Sequence, residues 1–584
     1  MIPDLRRLRH GVTMSFPFAS KNNAMPQDSR PEIFDAIVVG SGATGGWAAK
    51  QLAEAGLKIA LLEAGRNISS KEFTEHMPAY KLQYRDMSPE IARTRPVQKQ
   101  CYACMEYNHD WFVDDLQNPY STPAGKPFTW QRLRIVGGRT LVWGRQSYRL
   151  SDLDFKAASH DGYGEDWPFA YKDLEPYYDF VERYVGISGA PEGNGALPDG
   201  QFLPPMKMTC GEVRLRESVQ SKFGRTITIG RTAMLTRNHN GRAACHYCGP
   251  CERGCVTYSY FSSPFTTVAD ALKTGNCKLI TNAVVSHVDM DRSANKAGGV
   301  TYVDRISHKT YQVRGRAVIL CAQSMESTRI LLNSKTQEYT AGLANSSGAL
   351  GHYLMDHAVG AGAAGEMPEF LRKFSAAEPQ RNNGIYVVRF RNLANGPKHP
   401  RFIRGYGYQG EAQMNFQFGA EGFGQSYKAA VRRGVYGVGL GAFGESLGRF
   451  DNYCDIDTSL KDAWGIPALR ITMTHGSNEA ALMEDAAIAA AEMLEAAGAK
   501  NIKINTEVSE PGMAIHEVGT ARMGSDPKKS VLNAWNQTHD VKNLFVTDGA
   551  CFVSSACQNP TLTMMAITVR ACDHLVERFK KNEV

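Results

Sequence analysis

A mixed α/β fold, in which a parallel-sheet domain is interrupted by a domain built on an antiparallel sheet, is predicted by three features of the sequence. Residues 33–39 (Ile-Phe-Asp-Ala-Ile-Val-Val) form an apolar run typical of a buried parallel strand, and a glycine-rich loop follows it. A second apolar run at 57–63 completes a strand–helix–strand unit. Residues 360–475 alternate aromatic and polar residues and are rich in glycine, which is typical of antiparallel strands.

The loop after the first run reads Gly40-x-Gly42-x-x-Gly45 and leads into a helical segment at 47–53. Glycine at these positions permits a tight turn, a close approach of the backbone to a pyrophosphate, and close packing of helix on strand. Phosphate is attracted to the free N–H groups at the helix N-terminus. Glu63 ends the second strand and can hydrogen-bond a ribose hydroxyl. The unit predicts a Rossmann-like dinucleotide-binding domain without choosing between FAD and NAD.

The rest of the chain continues the mixture of helices and strands. Helices are predicted at 171–187, 269–273 and 478–497, and short apolar strands at 277–280, 284–288 and 317–322. Within the glycine-rich stretch, residues 385–450 carry many tyrosines and arginines, which indicates a substrate-facing sheet.

Composition excludes several classes of protein. The 584 residues are 43% hydrophobic, enough for more than one domain, and 66 basic against 59 acidic residues give a formal charge of only +7. This balance argues against a nucleic-acid partner. No run approaches the ~20 apolar residues of a transmembrane helix. Arg6-Arg7 precede an apolar run too short for a twin-arginine export signal, so residues 1–30 are predicted to be a flexible tail.

The thirteen cysteines are bunched rather than spread as a disulfide framework. Four of them follow the spacing Cys245-x2-Cys248-x2-Cys251-x3-Cys255, which resembles a ferredoxin run but lacks its final proline. Thiolates at such spacings bind iron or zinc strongly, because one loop can wrap them around one centre. An iron–sulfur cluster, a structural zinc and free thiols all stay open here. Cys101-x2-Cys104 offers too few ligands alone and is interpreted as a pair of structural or free thiols.

Several further segments resemble the glucose–methanol–choline (GMC) oxidoreductase family, in order from about residue 33 to residue 576. They are 134–144 (Arg-Ile-Val-Gly-Gly-Arg-Thr-Leu-Val-Trp-Gly), 148–150, 166–178, 353–357 (Tyr-Leu-Met-Asp-His), 516–524 (His-Glu-Val-Gly-Thr-Ala-Arg-Met-Gly), 543–549 and 558–563. The set is most similar to the bacterial branch of FAD-dependent glucose dehydrogenase catalytic subunits, fructose and gluconate dehydrogenases and glucoside 3-dehydrogenases.

The resemblance implies a flavin domain assembled from residues 31–150, 240–350 and 510–584, and a substrate domain from 151–239 and 351–509. It implies that FAD is bound by Gly40, Gly42, Ala43, Thr44, Gly45, Glu63, Ala64, Arg66, Gly137, Gly138, Thr140, Trp143, Val285, Asp548, Gly549, Asn559 and Thr561. In pyranose oxidase, a more distant relative, a histidine before the tryptophan of the second loop carries the flavin. That position is Val142 here, so the FAD is predicted to be noncovalent.

By the same resemblance, His516 is the catalytic base and Asn559 its companion. Oxidation of an alcohol requires removal of the hydroxyl proton as hydride leaves carbon, and histidine titrates near neutral pH. An amide at Asn559 can hold the same oxygen and orient the C–H bond. His357 is interpreted as a core or loop histidine.

The resemblance also bears on the cysteine loop. Cys245, Cys251 and Cys255 match the spacing of the [3Fe–4S] site of glucose dehydrogenase catalytic subunits, and Cys248 is an alternative fourth ligand that would make a [4Fe–4S] cluster. Relatives pair with a small accessory subunit that carries an export signal and with a cytochrome c. The implied location is the periplasm, with the cytoplasm as the alternative.

The sequence therefore predicts an FAD-dependent dehydrogenase that oxidises a hydroxyl of a sugar or glycoside and passes electrons out through a cluster. The alternatives are an oxygen-using, pyranose oxidase-like flavoenzyme, a gluconate, polyol or alcohol dehydrogenase, a noncatalytic flavin module, and an enzyme of long-chain alcohols or sterols. Tyr386, Tyr406, Tyr408 and Gln413 suit stacking on and hydrogen bonding to a pyranose ring, although an antiparallel sheet is rich in such residues anyway.

Overall fold

The computed structural model describes residues 32–84, 88–371, 381, 383–416 and 421–584. The predicted N-terminal tail, with its two arginines, lies outside these residues. Fifteen strands are found in the described part of the chain: β1 (Ile33–Val39), β2 (Ile59–Leu62), β3 (Ile227–Ile229), β4 (Cys277–Ile280), β5 (Ala283–Asp291), β6 (Lys296–Asp304), β7 (Thr310–Leu320), β8 (Gly362–Glu366), β9 (Ile385–Val387), β10 (Tyr406–Asn415), β11 (Val435–Gly444), β12 (Tyr453–Lys461), β13 (Pro467–Thr472), β14 (Lys500–Asn505) and β15 (Leu544–Val546).

Eleven α-helices accompany them in the same ranges. They are α1 (Ala43–Glu54), α2 (Pro89–Thr94), α3 (Asp152–Phe155), α4 (Ala157–Asp161), α5 (Tyr171–Val185), α6 (Cys210–Phe223), α7 (Thr267–Lys273), α8 (Ser324–Asn333), α9 (Gly424–Arg433), α10 (Ser477–Ala496) and α11 (Thr561–Lys580). The helices of the described ranges are too short or too polar to cross a bilayer.

The first sheet is the predicted parallel one. Its strand order is β4-β2-β1-β7-β6-β5, with β15 pairing the C-terminal end of β7. Strands β4, β2, β1, β7 and β15 run parallel, and their buried apolar faces account for the continuous apolar runs. The ends of β1, β7 and β15 meet at one edge, so the loops at Gly40, Cys321 and Asp548 start side by side.

The second sheet is antiparallel, in the order β14-β8-β11-β10-β9-β3. One of its faces packs on α10 through Val438, Leu440, Ala442 and their neighbours, since side chains alternate between the two faces of a strand. The opposite face carries Gln409 and Glu411 of β10 and Gly437, Gly439 and Gly441 of β11. Residues 33–584 form a single compact unit, so the proposed split into flavin and substrate domains remains a prediction.

Candidate active site

A cavity of about 380 Å³ lies at the carboxyl ends of β1, β7 and β15. This edge of a parallel sheet is where ligands of such folds bind. The cavity is lined by fourteen of the seventeen predicted cofactor residues: Gly40, Gly42, Ala43, Thr44, Glu63, Ala64, Gly138, Thr140, Trp143, Val285, Asp548, Gly549, Asn559 and Thr561. His516 and Val142 line it as well. Gly45, Arg66 and Gly137 do not.

The first glycine loop leaves no room for side chains on its inner side. A Cβ at Gly40, where φ is +96°, would lie 2.4 Å from the carbonyl oxygen of Cys321, and one at Gly45 would lie 1.8 Å from the carbonyl oxygen of Gly40. Gly42, by contrast, faces open space, with its nearest neighbour atom 3.9 Å from an added Cβ. No side chain caps α1, which begins at Ala43. An uncapped helix N-terminus beside an open glycine suits a pyrophosphate.

Glu63 stands at the end of β2, at the wall of the cavity. Its carboxylate accepts hydrogen bonds from the hydroxyl of Ser41 at 2.6 Å and from the N–H of Gly65 at 2.8 Å. Burial raises the pKa of Glu63. Arg66, three residues further, turns away and pairs with Glu72 at 2.8 Å and Asp110 at 2.6 Å. The carboxylate therefore ties two loops together while facing the cavity.

The second glycine loop is joined to the first. The N–H of Gly137 donates to the hydroxyl oxygen of Ser41 at 2.9 Å, and the Thr140 hydroxyl donates to the carbonyl of Gly137 at 2.6 Å. Gly137 has a φ of +96°, which glycine adopts freely. Trp143 is fixed by a hydrogen bond from Nε1 to the carbonyl oxygen of Phe261 at 3.0 Å. Gly137 thus sets the conformation of the loop, and Gly138, Thr140 and Trp143 of the same loop line the cavity.

Asp548 follows β15 and closes the far end of the cavity. The hydroxyl of Ser327 and the N–H of Ala550, at 3.0 Å, donate to its carboxylate. Burial raises the pKa of Asp548 to about 6. Helix α11 begins nearby at Thr561 and has no side-chain cap, so a second positive helix end faces the same cavity.

His516 and Asn559 come together in the cavity although 43 residues separate them. The amide nitrogen of Asn559 lies 3.3 Å from Nε2 of His516. Nε2 of Gln409, on β10, donates to the amide oxygen of Asn559 at 2.8 Å. Because Gln409 occupies the oxygen end, the N–H₂ end of Asn559 points to the histidine.

His357 lies on the other side of His516. Its Nε2 is 2.9 Å from the carbonyl oxygen of Ala556 and must donate to it, which leaves Nδ1 as an acceptor in the neutral ring. Nδ1 of His516 lies 2.8 Å from that atom and therefore carries a proton. This assignment follows from the hydrogen-bond network. It leaves the lone pair of His516 Nε2 facing Asn559 and the cavity.

Charge around the pair favours the neutral histidines. Burial, with the neighbouring His357 and the guanidinium of Arg139, holds the pKa of His516 well below 6.5. Burial likewise lowers the pKa of His357 to about 4. A neutral His516 can accept a proton at neutral pH.

The backbone that carries His516 is held by two charged side chains. Asp356 accepts from the N–H groups of Gly512 at 2.9 Å, Ala514 at 3.2 Å and His516 at 2.8 Å. Arg139 donates to both carboxylate oxygens of Glu517, at 2.7 and 2.9 Å. Burial and the carboxylate of Glu517 raise the pKa of Asp356 to about 7. The position of the histidine is therefore fixed from both sides.

The cysteine loop adjoins the cavity wall at Arg145, which lines the cavity and whose charge acts on Cys251. N–H groups of Tyr247 and Ser259 donate to the sulfurs of Cys245, at 3.4 Å, and Cys255, at 3.3 Å. Burial, together with the neighbouring thiols of the loop, raises the pKa of Cys248 to about 11 and that of Cys251 to about 12. In the described ranges no three His, Cys, Asp or Glu side chains are arranged closely enough to hold a metal ion. The donor types fit an iron–sulfur cluster, but the ligand set is not closed.

Comparison with known proteins decides the family. Family models described as GMC oxidoreductase match residues 34–359 and 451–568. The chain belongs to the GMC oxidoreductase family. This confirms the predicted family and fold class, the predicted enzyme of CH–OH groups, and FAD as its cofactor.

Two curated relatives and one solved structure illustrate the range of this GMC protein's similarities. It is 29% identical to the 2-methyl-1,2-propanediol dehydrogenase of Mycolicibacterium austroafricanum, over 93% of this chain and 95% of the relative. It is 28% identical to the fructose dehydrogenase large subunit of Gluconobacter japonicus, over 94% and 98%. Pyridoxine 4-oxidase from Mesorbium loti shares the fold, with a TM-score of 0.58, 16% identity and coverage of 92% and 98%.

Some residues of the GMC site were missed or misplaced from sequence. Gln409 and His357, which orient Asn559 and His516, were not predicted to act there, since neither belongs to a motif with its partner. Tyr406 and Tyr408 were wrongly expected to meet substrate: both are fully buried against α10, where the Tyr408 hydroxyl donates to the carbonyl of Ala486 at 2.7 Å. Tyr386 is also buried and stacks on Tyr148 at 4.1 Å.

Proposed function

We propose that this GMC oxidoreductase is a dehydrogenase that oxidises a hydroxyl group of a sugar or glycoside. The observation that carries the proposal is the unprotonated Nε2 of His516, which faces the cavity 3.3 Å from the amide nitrogen of Asn559. A hydroxyl oxygen in the cavity within hydrogen-bond reach of both groups would give its proton to the histidine and accept a hydrogen bond from the amide. Bound FAD supplies the hydride acceptor.

The proton path depends on the tautomer of His516. Its Nδ1–H donates to Nδ1 of His357, and His357 Nε2–H donates to the carbonyl of Ala556. Proton uptake at Nε2 makes an imidazolium whose Nδ1–H still has an acceptor, so the ring keeps its orientation during the reaction. The depressed pKa of His516 means that it gives up this proton readily to solvent after product leaves.

Asn559 and Gln409 orient the substrate. Gln409 fixes the amide of Asn559 by donating to its oxygen at 2.8 Å, and the amide N–H₂ is thereby directed toward the reacting hydroxyl. Pre-set donors of this kind lower the entropic cost of reaching the reactive geometry. The aromatic ring of Phe443 also lines the cavity.

Electrons are proposed to leave through an iron–sulfur cluster at the cysteine loop. Cys245, Cys251 and Cys255 would hold it, with Cys248 as the alternative fourth ligand, and the cluster would supply single-electron transfer to an acceptor. The N–H···S hydrogen bonds to Cys245 and Cys255 suit cluster ligands. A position of the cluster close to the flavin is supported by Arg145. This residue lines the flavin cavity, and its charge partly offsets the rise that burial causes in the pKa of Cys251.

Together with the cluster, we propose an accessory subunit and a cytochrome c that accepts the electrons. We propose the periplasm as the location of the enzyme. One support is the name of a relative, since the fructose dehydrogenase chain is called a large subunit and so has a companion. A second candidate function, oxidation of a polyol, is favoured by the 2-methyl-1,2-propanediol dehydrogenase relative.

Turnover of the FAD-loaded enzyme with a panel of sugars, glycosides and diols tests these proposals. With dye and with oxygen as alternative acceptors, we expect the highest kcat/KM for a sugar or glycoside with the dye. Diols as the better substrates would favour the polyol candidate, and oxygen as the better acceptor would contradict the dehydrogenase proposal. Release of the FAD by acid precipitation is expected, because Val142 offers no nucleophile.

A further inference from the structure

The second sheet has an open groove on the face that α10 does not cover. The groove has a volume of about 690 Å³ and shares two lining residues, Gln146 and Gln409, with the flavin cavity. Because Gln409 also donates to Asn559, the groove begins where the catalytic pair stands. We call it the sheet groove.

Two rungs of paired residues make up the floor and sides of the sheet groove. In the first rung Gln409 pairs with Gly441, Gly441 with Gly362, and Gly362 with Asn505. In the second, Glu411 pairs with Gly439, Gly439 with Ala364, and Ala364 with Lys503. Each rung therefore has a polar residue at both ends and two small residues between them. Four strands at a spacing of ~4.8 Å make the groove ~14 Å wide, and the rungs lie ~7 Å apart.

The wall of the sheet groove also has an unsatisfied polar atom. Asn383 lines the groove, is 4% exposed, and its Oδ1 has no hydrogen-bond partner among the described residues. Its Nδ2 donates to the carbonyl oxygen of Gly230, which leaves the acceptor end free. Buried polar atoms are nearly always hydrogen-bonded, so this acceptor indicates a ligand that brings a donor.

The chemistry of the walls selects a neutral, hydroxyl-rich ligand. One carboxylate (Glu411), one ammonium group (Lys503) and amides flank the groove, and Arg381, also at its wall, donates to the carboxylate of Glu212. This mixture has no net charge to attract a phosphate or an acid. Hydroxyl groups can donate to Asn383 and Glu411 and accept from Lys503 and Asn505. A flat floor of glycine and alanine leaves room for a ring.

We propose that the sheet groove binds a second sugar ring, joined by a glycosidic bond to the ring whose hydroxyl is oxidised beside His516. This inference rests on the proposed function and names its substrate class: disaccharides or glycosides of a sugar rather than free monosaccharides. The ring next to the first rung carries the reacting hydroxyl, and the second rung, one ring length away, receives the second ring.

A substitution at Gly439 can place a side chain in the space above the second rung of the sheet groove. It lies in a strand without positive φ, and an added Cβ would have no neighbour closer than 3.8 Å, so valine fits the fold and suits a strand. Gly195 is the matched control, since it also has open space around an added Cβ, lacks a positive φ and lines neither cavity. Glu411→Gln removes the charge of the same rung without adding volume.

The experiment compares the FAD-loaded full-length enzyme with its Gly439→Val, Glu411→Gln and Gly195→Val variants. Anaerobic flavin reduction gives kcat/KM for a monosaccharide and for its disaccharides, and calorimetry gives disaccharide affinity without turnover. We expect the wild type to prefer a disaccharide. Gly439→Val should lower its kcat/KM at least ~10-fold and leave the monosaccharide unchanged, as steric exclusion from a pocket does. Glu411→Gln should weaken disaccharide binding less, and Gly195→Val should change neither substrate.

The sheet-groove proposal is overturned if the wild type gains nothing from the second ring, or if Gly439→Val affects both substrates equally or neither. Failure of the proposed function looks different, because no sugar would then reduce the flavin. In that case calorimetry still decides: disaccharide binding that Gly439→Val abolishes keeps the groove as a sugar site, and absence of binding rejects it.

Discussion

The flavin cavity and the cysteine loop are neighbours, yet they differ in how completely the protein prepares them. In the cavity each functional group already has a protein partner: Gln409 holds Asn559, His357 holds His516, and Ser41 holds Glu63. In the cysteine loop the sulfurs receive backbone N–H groups, but no three metal-binding side chains of the described ranges converge.

The difference shows which part of the chemistry this chain carries by itself. The orientation of His516 and Asn559, the proposed base and its companion, is built into the fold, as expected for a site that lowers a barrier by positioning. The cysteine loop has the donor types of an iron–sulfur site, and the proposed cluster would close its ligand set on binding, because metal binding and local folding are coupled. Variants can therefore separate the two regions.

The largest effect is expected from His516→Ala. Loss of the general base should lower kcat/KM for the sugar by about 10²–10⁴-fold without loss of bound FAD, since the histidine acts on the reacting hydroxyl. Steady-state rates with a dye acceptor and the flavin absorbance measure the two quantities. His308→Asn, in the turn between β6 and β7, serves as the control; equal losses in both variants would contradict the assignment.

Cys251→Ser should affect the cysteine loop and leave the flavin cavity unchanged. We expect it to remove iron and the paramagnetic signal of the cluster, and to slow reduction of a cytochrome c acceptor at least ~10-fold, because a hydroxyl replaces a thiolate ligand. Anaerobic reduction of the flavin by sugar should stay at the wild-type rate. Electron paramagnetic resonance before and after dithionite, repeated with Cys248→Ser, tells a three-cysteine cluster from a four-cysteine one. Wild-type protein free of iron would reject the cluster.

A smaller effect is expected from Gln409→Ala. Without its hydrogen bond the amide of Asn559 can turn, and kcat/KM should fall about 10-fold as the reacting hydroxyl loses its fixed donor. Gln413→Ala is the matched control on the same strand when a monosaccharide is the substrate, since Gln413 lines neither cavity and, among the described residues, its side chain donates to Glu411 at 2.8 Å. If Gln413→Ala lowers kcat/KM as much, the effect belongs to the strand and not to the orientation of Asn559.

His357→Gln should change the pH dependence more than the maximal rate. The neighbouring His357 lowers the pKa of His516, so its removal should raise that pKa and move the acidic limb of the kcat/KM profile to higher pH. Stability should respond too. His357 has a pKa of about 4 when folded against 6.5 as a free group, so the unfolded chain takes up its proton first. The wild type therefore loses stability as pH falls from 6.5 toward 4, and the variant should lose less. If the pH profiles and the unfolding curves of the variant coincide with those of the wild type, the proposed influence of His357 on His516 is contradicted.

The sequence predicted the first sheet better than the site. β1 was predicted at its observed residues because both its faces are buried, whereas the first half of β7 was missed, since its outer residues 310–312 are exposed and polar. The pairing of His516 with His357 spans 159 residues and that of Asn559 with Gln409 spans 150, and no local pattern carries such contacts.

The tyrosines of β10 show a second limit. Tyr406 and Tyr408 alternate correctly with the residues between them, but alternation does not tell which face meets the core. The structure shows that the two tyrosines lie on the face that packs against α10. The hydroxyl group of Tyr406 donates to the carboxylate of Asp485, and that of Tyr408 donates to the carbonyl oxygen of Ala486. The residues that face the cavity and sheet groove are instead Gln409 and Glu411.

Anaerobic mixing of the FAD-loaded wild-type enzyme with a sugar or its glycoside tests the central claim most directly. The account predicts that the oxidised-flavin absorbance bleaches in a single turnover and that one ketone or lactone forms per FAD. Flavin that stays oxidised with every sugar and glycoside, but bleaches with simple diols, would contradict it.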